Sequence, residues 1–304
     1  MPAERTEPPL SQQDRLLGAE RAENFPVAMR VLPARVRERL HAVYAVLRVI
    51  DDLADEPVPV GGSGTEPCPG TTPAQRLRRL EAFRTDLDGV WSGAPVRAPV
   101  LAALAPVARD TGLTREPFDR LLDAGVADQR ITRYRTWDEL LGYCALSAEP
   151  VGRIVLTLFG VSAGPELLRD CDAVCTALQL LEHCADVGED HRRGRTYLPA
   201  EDLRAFGVAE ADLDADRAGP ALRGLLRYET ARARALLDGG AVAVAGLRGW
   251  ARVAVAGYVA GGRAAADALV RADGDVLSGD GRAVRRRADV VRHLPGALLA
   301  GGSR

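Results

Sequence analysis

Two acidic stretches carry the residues best suited to chemistry: YAVLRVIDDLADE, from Tyr44 to Glu56, and LQLLEHCADVGED, from Leu178 to Asp190. In the first, Tyr44, Arg48, Asp51 or Asp52, and Asp55 recur every three to four residues, which on an α-helix puts them on one face. The residues between them are mostly apolar, and a polar stripe on an otherwise apolar helix points inward. In the second, Gln179, Glu182 or His183, Asp186 and Asp190 repeat the pattern with the same Asp-to-Asp spacing of four. Four carboxylates withdrawn from water and facing one another demand a counterion. Mg²⁺ is the natural one, because it sits on a few carboxylates and gives the rest of its shell to water and substrate phosphate. A single such pair among 42 acidic residues would read as a solvated helical face. Two matched pairs, the second running into the arginines of HRRGRTYLP, favour a metal and phosphate site.

The elements that hold these stripes must be helices. Pro33 can open a helix whose periodicity runs to Glu56, and PVPVGGSGTEPCPGTT, residues 57–72, is too rich in Pro and Gly to be regular. Thr72 and Pro73 then start a helix through Trp91, followed by helical stretches over Pro99–Asp110 and Thr114–Arg130. Thr136 and Glu139 read as a capping box opening one helix through YCALSAEPVGRIVLTLFG, with Pro150 inside it. The small residues of that helix, Ala148 and Gly152 among them, suit either close helix packing or a kink that leaves space for a long apolar ligand. Pro165 opens the helix of the second acidic pair, expected to end near Gly188 to Gly194. Helical patterns recur over Pro199–Phe206, Pro220–Leu237, Ala241–Ala272 and Gly281–Leu299. No period-two strand is visible, so the fold class is all-α. Residues 1–12 are expected to be disordered, 13–299 to form one domain and 300–304 a tail. Phe25, just before the first motif helix, is a candidate for the core or for a cavity wall, and Tyr258, in the apolar stretch, is a candidate for the same wall.

With 304 residues, 47% of them hydrophobic, the chain can build a sizeable core. A net charge of −2 gives no electrostatic case for nucleic acid. All 40 basic residues are arginine, which we read as coding bias. Five cysteines without framework spacing suit a reducing compartment, and Cys171, Cys175, His183 and Cys184 match no common zinc pattern. No signal-peptide core is present, and the apolar run from Ala241 to Gly262 is broken by Arg248 and Arg252, so a cytoplasmic location is expected. The C-terminal segment GRAVRRRADVVRHLPGALLAG is basic on one side and apolar on the other, which suits peripheral contact with an anionic membrane or a plain terminal docking helix.

The stretches DDLAD and DVGED, with LQL before the second and GRTYLP after it, resemble the squalene and phytoene synthase family of head-to-head prenyl transferases. The resemblance runs from about Glu20 to His293, and RAENFPVA and YCALSAEPVGR look most like the bacterial hydroxysqualene synthase branch. It implies a single helical bundle around a central apolar cavity. It also implies conversion of presqualene diphosphate and water into hydroxysqualene and diphosphate. By position, Asp51, Asp55, Asp186 and Asp190 match the family's Mg²⁺-binding aspartates, Tyr44 and Arg48 its first-motif tyrosine and arginine, Tyr143 its mid-chain tyrosine, and Gln179 its glutamine. Glu182 stands where many synthases carry Asn, and Ala185 where many carry Arg. The missing arginine argues against an enzyme that must hold two diphosphates.

The implied chemistry is ionisation of a prenyl diphosphate in a dry cavity. Arg48 with Arg192, Arg193 or Arg195 could bind the diphosphate; Arg193 is the most in step with the helix face, three residues past Asp190. Phe25, Tyr44 and Tyr143 would face the cation, and Glu182 or His183 would position water. The other readings are a synthase condensing two prenyl diphosphates, and a non-catalytic lipid-binding member of the fold. No strand-linked GxGxxG occurs, so reduction to squalene would fall to a partner enzyme to which the product is handed.

Overall fold

The first motif helix begins where Pro33 can no longer donate: its carbonyl accepts the N–H groups of Val36 and Arg37 at 3.0 and 3.1 Å, and α1 runs from Ala34 to Asp55. Leu40, Val43, Tyr44, Val46, Ile50 and Ala54 are buried along it, the three-and-four spacing of a helix with one face in the core. The computed structural model describes residues 32–55, 72–277 and 286–299. Phe25, the N-terminal residues 1–12, most of the Pro- and Gly-rich stretch and the tail 300–304 lie outside them.

After α1 come α2 (Pro73–Ser92), α3 (Pro99–Thr111), α4 (Glu116–Asp128), α5 (Trp137–Ser147), α6 (Glu149–Leu158) and α7 (Pro165–Ala185). They are followed by α8 (Val187–Arg192), α9 (Ala200–Phe206), α10 (Glu210–Leu213), α11 (Pro220–Gly240), α12 (Ala243–Gly246), α13 (Gly249–Arg271) and α14 (Arg287–Leu299). The fold is all-α; the only strand-like feature among the described residues is an isolated bridge between Arg133 and Thr196. The start of α2 is a full capping box, with the Thr72 hydroxyl accepting from Gln75 N and the Gln75 side chain accepting from Thr72 N at 2.8 Å. The box expected at α5 is half built. Thr136 Oγ1 accepts from Glu139 N at 3.2 Å, but the Glu139 carboxylate turns back to Arg135, accepting from its backbone N–H at 2.7 Å.

Three expected helices are interrupted. The helix carrying YCALSAEPVGR breaks at Ala148, where φ is −115° and ψ −47°. Pro150 is not inside a helix but in the first turn of α6, where its missing N–H is not needed; farther in, its ring would strike the carbonyl of Leu146. The second motif helix stops at Ala185, and Asp186, at φ −100° and ψ 11°, separates it from α8. The stretch 241–272 is likewise split into α12 and α13.

α7 is the central post, in contact with α5, α6, α11 and α13, while α1 packs on α3, α4 and α6. Leu178, Leu181, Leu222, Leu225, Leu226 and Ile154 are among the fully buried side chains, each stabilising the fold by about 2 kcal/mol. Gly240 allows α11 to close on α7: a Cβ there would lie 2.6 Å from the Asp170 carbonyl oxygen. α13 is long and apolar enough to cross a membrane by composition, yet 72% of that stretch is buried inside the bundle, as befits a core helix. α14 packs Val290, Leu294 and Leu298 inward and leaves Val291 and Leu299 outward.

Candidate active site

Because α1 and α7 both flank α6, Tyr44, Arg48 and Asp51 of one polar stripe meet Gln179 and Glu182 of the other across a cavity of about 320 Å³, while Asp55, Asp186 and Asp190 are not among its lining residues. Its walls are built from α1 (Tyr44, Leu47, Arg48, Ile50, Asp51, Ala54), α4 (Leu121, Ala124, Gly125, Asp128), the α5–α6 break and α7 (Gln179, Glu182). The break matters here: by ending α5 at Ser147 it puts Ser147, Ala148 and Val151 on the wall, beneath Tyr143. The Ser147 hydroxyl is buried and has no hydrogen-bond partner. Seven of the residues singled out from the sequence, Tyr44, Arg48, Asp51, Tyr143, Ala148, Gln179 and Glu182, therefore line one cavity.

Charge is distributed unevenly around it. Arg48 holds Asp52 at 2.7 Å and Asp51 at 3.4 Å along its own helix. Arg195 crosses from the segment after α8 to Asp55 at 2.7 Å, tying the second motif's flank to the first motif. Burial alone would lower the Arg195 pKa, but the charges of Asp128 and Asp55 outweigh it and hold the guanidinium firmly charged. At the second motif, Asp190 N donates to the Asp186 carbonyl at 2.8 Å, so the helical turn survives the break and keeps both carboxylates together. Burial, then the charge of Asp186, pushes the Asp190 carboxyl up to about 7. Burial, then the charge of Glu189, raises Asp186 as well, against the lowering effect of Arg193.

Four expectations change on inspection of their surroundings. Arg193 is half-exposed and paired with Glu189 at 2.7 Å, near enough for its charge to lower Asp186 and Asp190, while Arg195, 13% exposed, reaches across to Asp55 on α1. Gly152 serves close packing, since a Cβ there would sit 2.6 Å from Cys175 Sγ on α7. Tyr258 is buried in the core of α13, and burial raises its pKa. His183 does not line the cavity; its ring stacks on Tyr197 with centroids 3.9 Å apart, and burial pushes its pKa down to about 3, so the imidazole is neutral. A one-residue step along α7 rotates the side chain by about 100°, which is why Glu182 faces the cavity and His183 does not.

The residue the sequence reading missed is Asp128, the last residue of α4. Its two carboxylate oxygens accept from Tyr143 Oη at 2.8 Å and Tyr197 Oη at 2.9 Å, and it lines the cavity beside Arg195. One signal was available: a carboxylate in the last turn of a helix opposes the macrodipole, so a tertiary partner must hold it there. Next to it, Gln129 Nε2 donates to the Ala54 carbonyl at 3.0 Å, fastening the open end of α1 over the site. Tyr134, Tyr143, Tyr197 and His183 form a continuous aromatic stack behind Asp128.

Burial raises the Asp128 carboxyl from 3.8 to about 6, against the lowering effects of Arg195, Tyr143 and Tyr197. The folded chain thus holds this proton more tightly than the unfolded one. The contribution is complete below pH 4 and is lost as pH rises through 6, by up to about 3 kcal/mol. Asp128→Asn, whose carbonyl accepts from one tyrosine while its NH₂ donates to the hydroxyl oxygen of the other, is expected to overtake the parent in stability between pH 4 and 7. Denaturant titrations of both proteins at the two pH values check this; parallel pH dependences would show that Asp128 does not carry the effect.

Comparison with known proteins follows the same outline. Residues 19–289 match the family model described as squalene/phytoene synthase. Hydroxysqualene synthase of Rhodopseudomonas palustris is 35% identical over 72% of this chain and 70% of its own. Phytoene synthase of Arthrospira platensis is 31% identical over 72% of this chain and 71% of its own. Among solved structures, squalene synthase HpnC from Alicyclobacillus acidocaldarius superposes with a TM-score of 0.71 at 33% identity, covering 85% of this chain and 93% of that one. The acidic motifs on two facing helices and the match over nearly the whole chain lead to one conclusion: the chain belongs to the squalene/phytoene synthase family of prenyl-transferring enzymes.

Proposed function

We propose that this enzyme is a hydroxysqualene synthase, ionising presqualene diphosphate and capturing the cation with water to give hydroxysqualene and diphosphate. The observation that carries the reading is the wall of the cavity: apolar and aromatic over most of its area, with Gln179 and Glu182 as polar groups on α7 and Asp51 with Arg48 on α1. Relatives named hydroxysqualene synthase, at 35%, 32% and 32% identity, support it. So does Ala185, which takes the place of an arginine suited to a second diphosphate.

The residues fit a divalent cation. Among the described residues no three His, Cys, Asp or Glu side chains form a metal cage, but Mg²⁺ is bound by one or two carboxylates with substrate phosphate completing the shell. The charge of Asp186 adds to the cost of ionising Asp190, which a bound cation would relieve; Asp51 and Asp55 would complete the site from α1. When bound, Mg²⁺ supplies charge neutralisation on the leaving diphosphate.

The chain's own groups do the rest. Arg48, on the cavity wall, and Arg195, paired with Asp55, can donate forked hydrogen bonds to diphosphate oxygens. Tyr44 and Tyr143 present ring faces that lower the energy of a desolvated cation by about 1–2 kcal/mol each. Gln179 and Glu182 can hold one water while the apolar wall excludes others. Relatives named phytoene synthase, at 31–35% identity, favour a second reading, condensation of two prenyl diphosphates.

One assay separates them: purified enzyme with Mg²⁺, given presqualene diphosphate in one tube and farnesyl diphosphate in another. A C30 alcohol from the first and nothing from the second is expected. A C30 diphosphate or hydrocarbon from farnesyl diphosphate would replace this reading with the condensing one.

A further inference from the structure

A surface helix of a globular fold keeps one apolar stripe for the core and gives its opposite face to polar groups. α14 departs from this. Val290, Leu294, Ala297 and Leu298 pack inward, as a core stripe should. Yet Ala288, Val291, Pro295 and Leu299, spaced three and four apart, are all exposed and form a second apolar row on the outside. Val291 and Leu299 are 70% and 74% exposed, and with Val270 at the end of α13 they are the three most exposed large apolar side chains among the described residues. The helix is firmly seated: Arg271 holds Asp289 at 2.9 Å, His293 lies 2.7 Å from Asp267, and Arg252 donates to the Leu298 carbonyl at 2.7 Å. The outer row is thus displayed by a docked helix.

Charge around the row has one sign. Arg286, Arg287 and Arg292 are exposed, and by helical position Arg287 and Arg292 fall on either side of the row. The acids of the same region, Asp267 and Asp289, are 18% and 13% exposed and are held by Arg234, Arg271 and Arg292. The outward surface is therefore apolar and flanked by guanidinium groups, with its carboxylates turned in. A bilayer with anionic headgroups complements both features. A second copy of the chain does not, because a twofold pairing through this row would set Arg292, near its middle, against its own copy. Pro295 suits a shallow seat: with no N–H at 295, the Val291 carbonyl lacks its helical donor and is satisfied where water and headgroups reach it.

We infer that the outer face of α14 seats this enzyme on an anionic lipid bilayer, with Val291 and Leu299 in the headgroup boundary and Arg286, Arg287 and Arg292 on the lipid phosphates. The contact is peripheral and reversible, and α14 stays in the bundle. It places the enzyme where its chemistry needs it: the proposed substrate and product are C30 chains, which favour a bilayer over water by many orders of magnitude. That advantage rests on the proposed reaction, whereas the surface itself stands apart from it.

Co-sedimentation of the full-length protein with vesicles tests this without turnover. At about 0.1 M salt, vesicles of about one-third phosphatidylglycerol in phosphatidylcholine are expected to bind it at least about tenfold more tightly than phosphatidylcholine alone, and to release most of it at about 0.5 M. Arg286→Gln with Arg287→Gln is expected to weaken binding about twentyfold, near fivefold per arginine, and Val291→Ser with Leu299→Ser about tenfold. All four side chains are exposed, so thermal melts of both pairs should match the parent. Ile131→Ser, which removes an apolar side chain 42% exposed just past α4, should leave binding unchanged. Absence of binding to the anionic vesicles, equal binding to both compositions, or binding unmoved by Val291→Ser with Leu299→Ser overturns the inference. So does a lipid-free dimer that the same two changes split, which would assign the row to a second copy. With presqualene diphosphate carried in anionic vesicles, the Val291→Ser and Leu299→Ser pair is expected to form the C30 alcohol about fivefold more slowly than the parent, and to equal it with substrate in detergent micelles. No alcohol from the parent in micelles would count against the proposed reaction alone and leave the vesicle result to decide the surface.

Discussion

Asp190→Asn is expected to cut turnover of presqualene diphosphate by about 10³-fold while raising the melting temperature. The two effects have one cause. Folding carries the Asp190 carboxyl into a partly buried position beside Asp186, and both burial and the neighbouring charge push it up to about 7. Near neutral pH the fold therefore bears the cost of holding negative charge there, and an isosteric amide relieves about 1–2 kcal/mol of it. In a chain of this size that corresponds to a few degrees. The same charge is what a divalent cation needs. With one carboxylate of the pair neutral, the loss of about 4 kcal/mol of transition-state charge stabilisation gives the thousandfold fall. Thermal melts and saturating-substrate rates on one preparation check both halves. A variant that loses both activity and stability would make Asp190 a structural residue. The parent enzyme treated with a chelator should lose activity as the variant does and recover it on adding Mg²⁺.

How much of this was legible in the sequence depends on the range of the interaction that sets it. The α1 stripe was readable because helical periodicity is local: Tyr44, Arg48 and Asp51 fall on one wall as their spacing requires. The start of α2 was readable for the same reason, from Thr72 and Pro73 alone, while the part of Gln75 in its cap came only with the structure. The breaks at Ala148 and Asp186 were not, although Pro150 announced the first; periodicity continues across both while the backbone does not. Gly152 and His183 both sit on site-bearing helices but turn to other partners, Cys175 and Tyr197, on elements distant in sequence. Asp128 escaped because its meaning comes from Tyr143 and Tyr197, which lie 15 and 69 residues away.

The arginines after the second motif give the clearest separation. Arg193→Met is expected to change stability by less than about 0.5 kcal/mol and turnover by less than about tenfold, since its charge acts on Asp186 and Asp190 from an exposed position. Arg195→Met is expected to cost about 2–4 kcal/mol and about a hundredfold in turnover. Counting along a helix from Asp190 favours Arg193, but α8 ends at Arg192, and Gly194, with φ at +80°, turns the chain so that Arg195 comes back toward α1. A side chain with a Cβ is rarely held in that conformation, which is why glycine stands there. Arg193 and Glu189 are 56% and 53% exposed, and such a pair is worth about 0–1 kcal/mol. Arg195 and Asp55 are 13% and 28% exposed, and Asp128 adds a second carboxylate to the same guanidinium. Removing the cation strands both acids in a desolvated place, a loss of about 3–5 kcal/mol when fully buried and somewhat less here. The double variant Arg195→Met with Asp128→Asn discriminates the cause. If stranded charge is the defect, neutralising Asp128 should restore about 1–2 kcal/mol beyond the sum of the two single effects. If the double variant is simply additive, Arg195 stabilises the site by packing of its stem, and its charge serves the diphosphate rather than the fold.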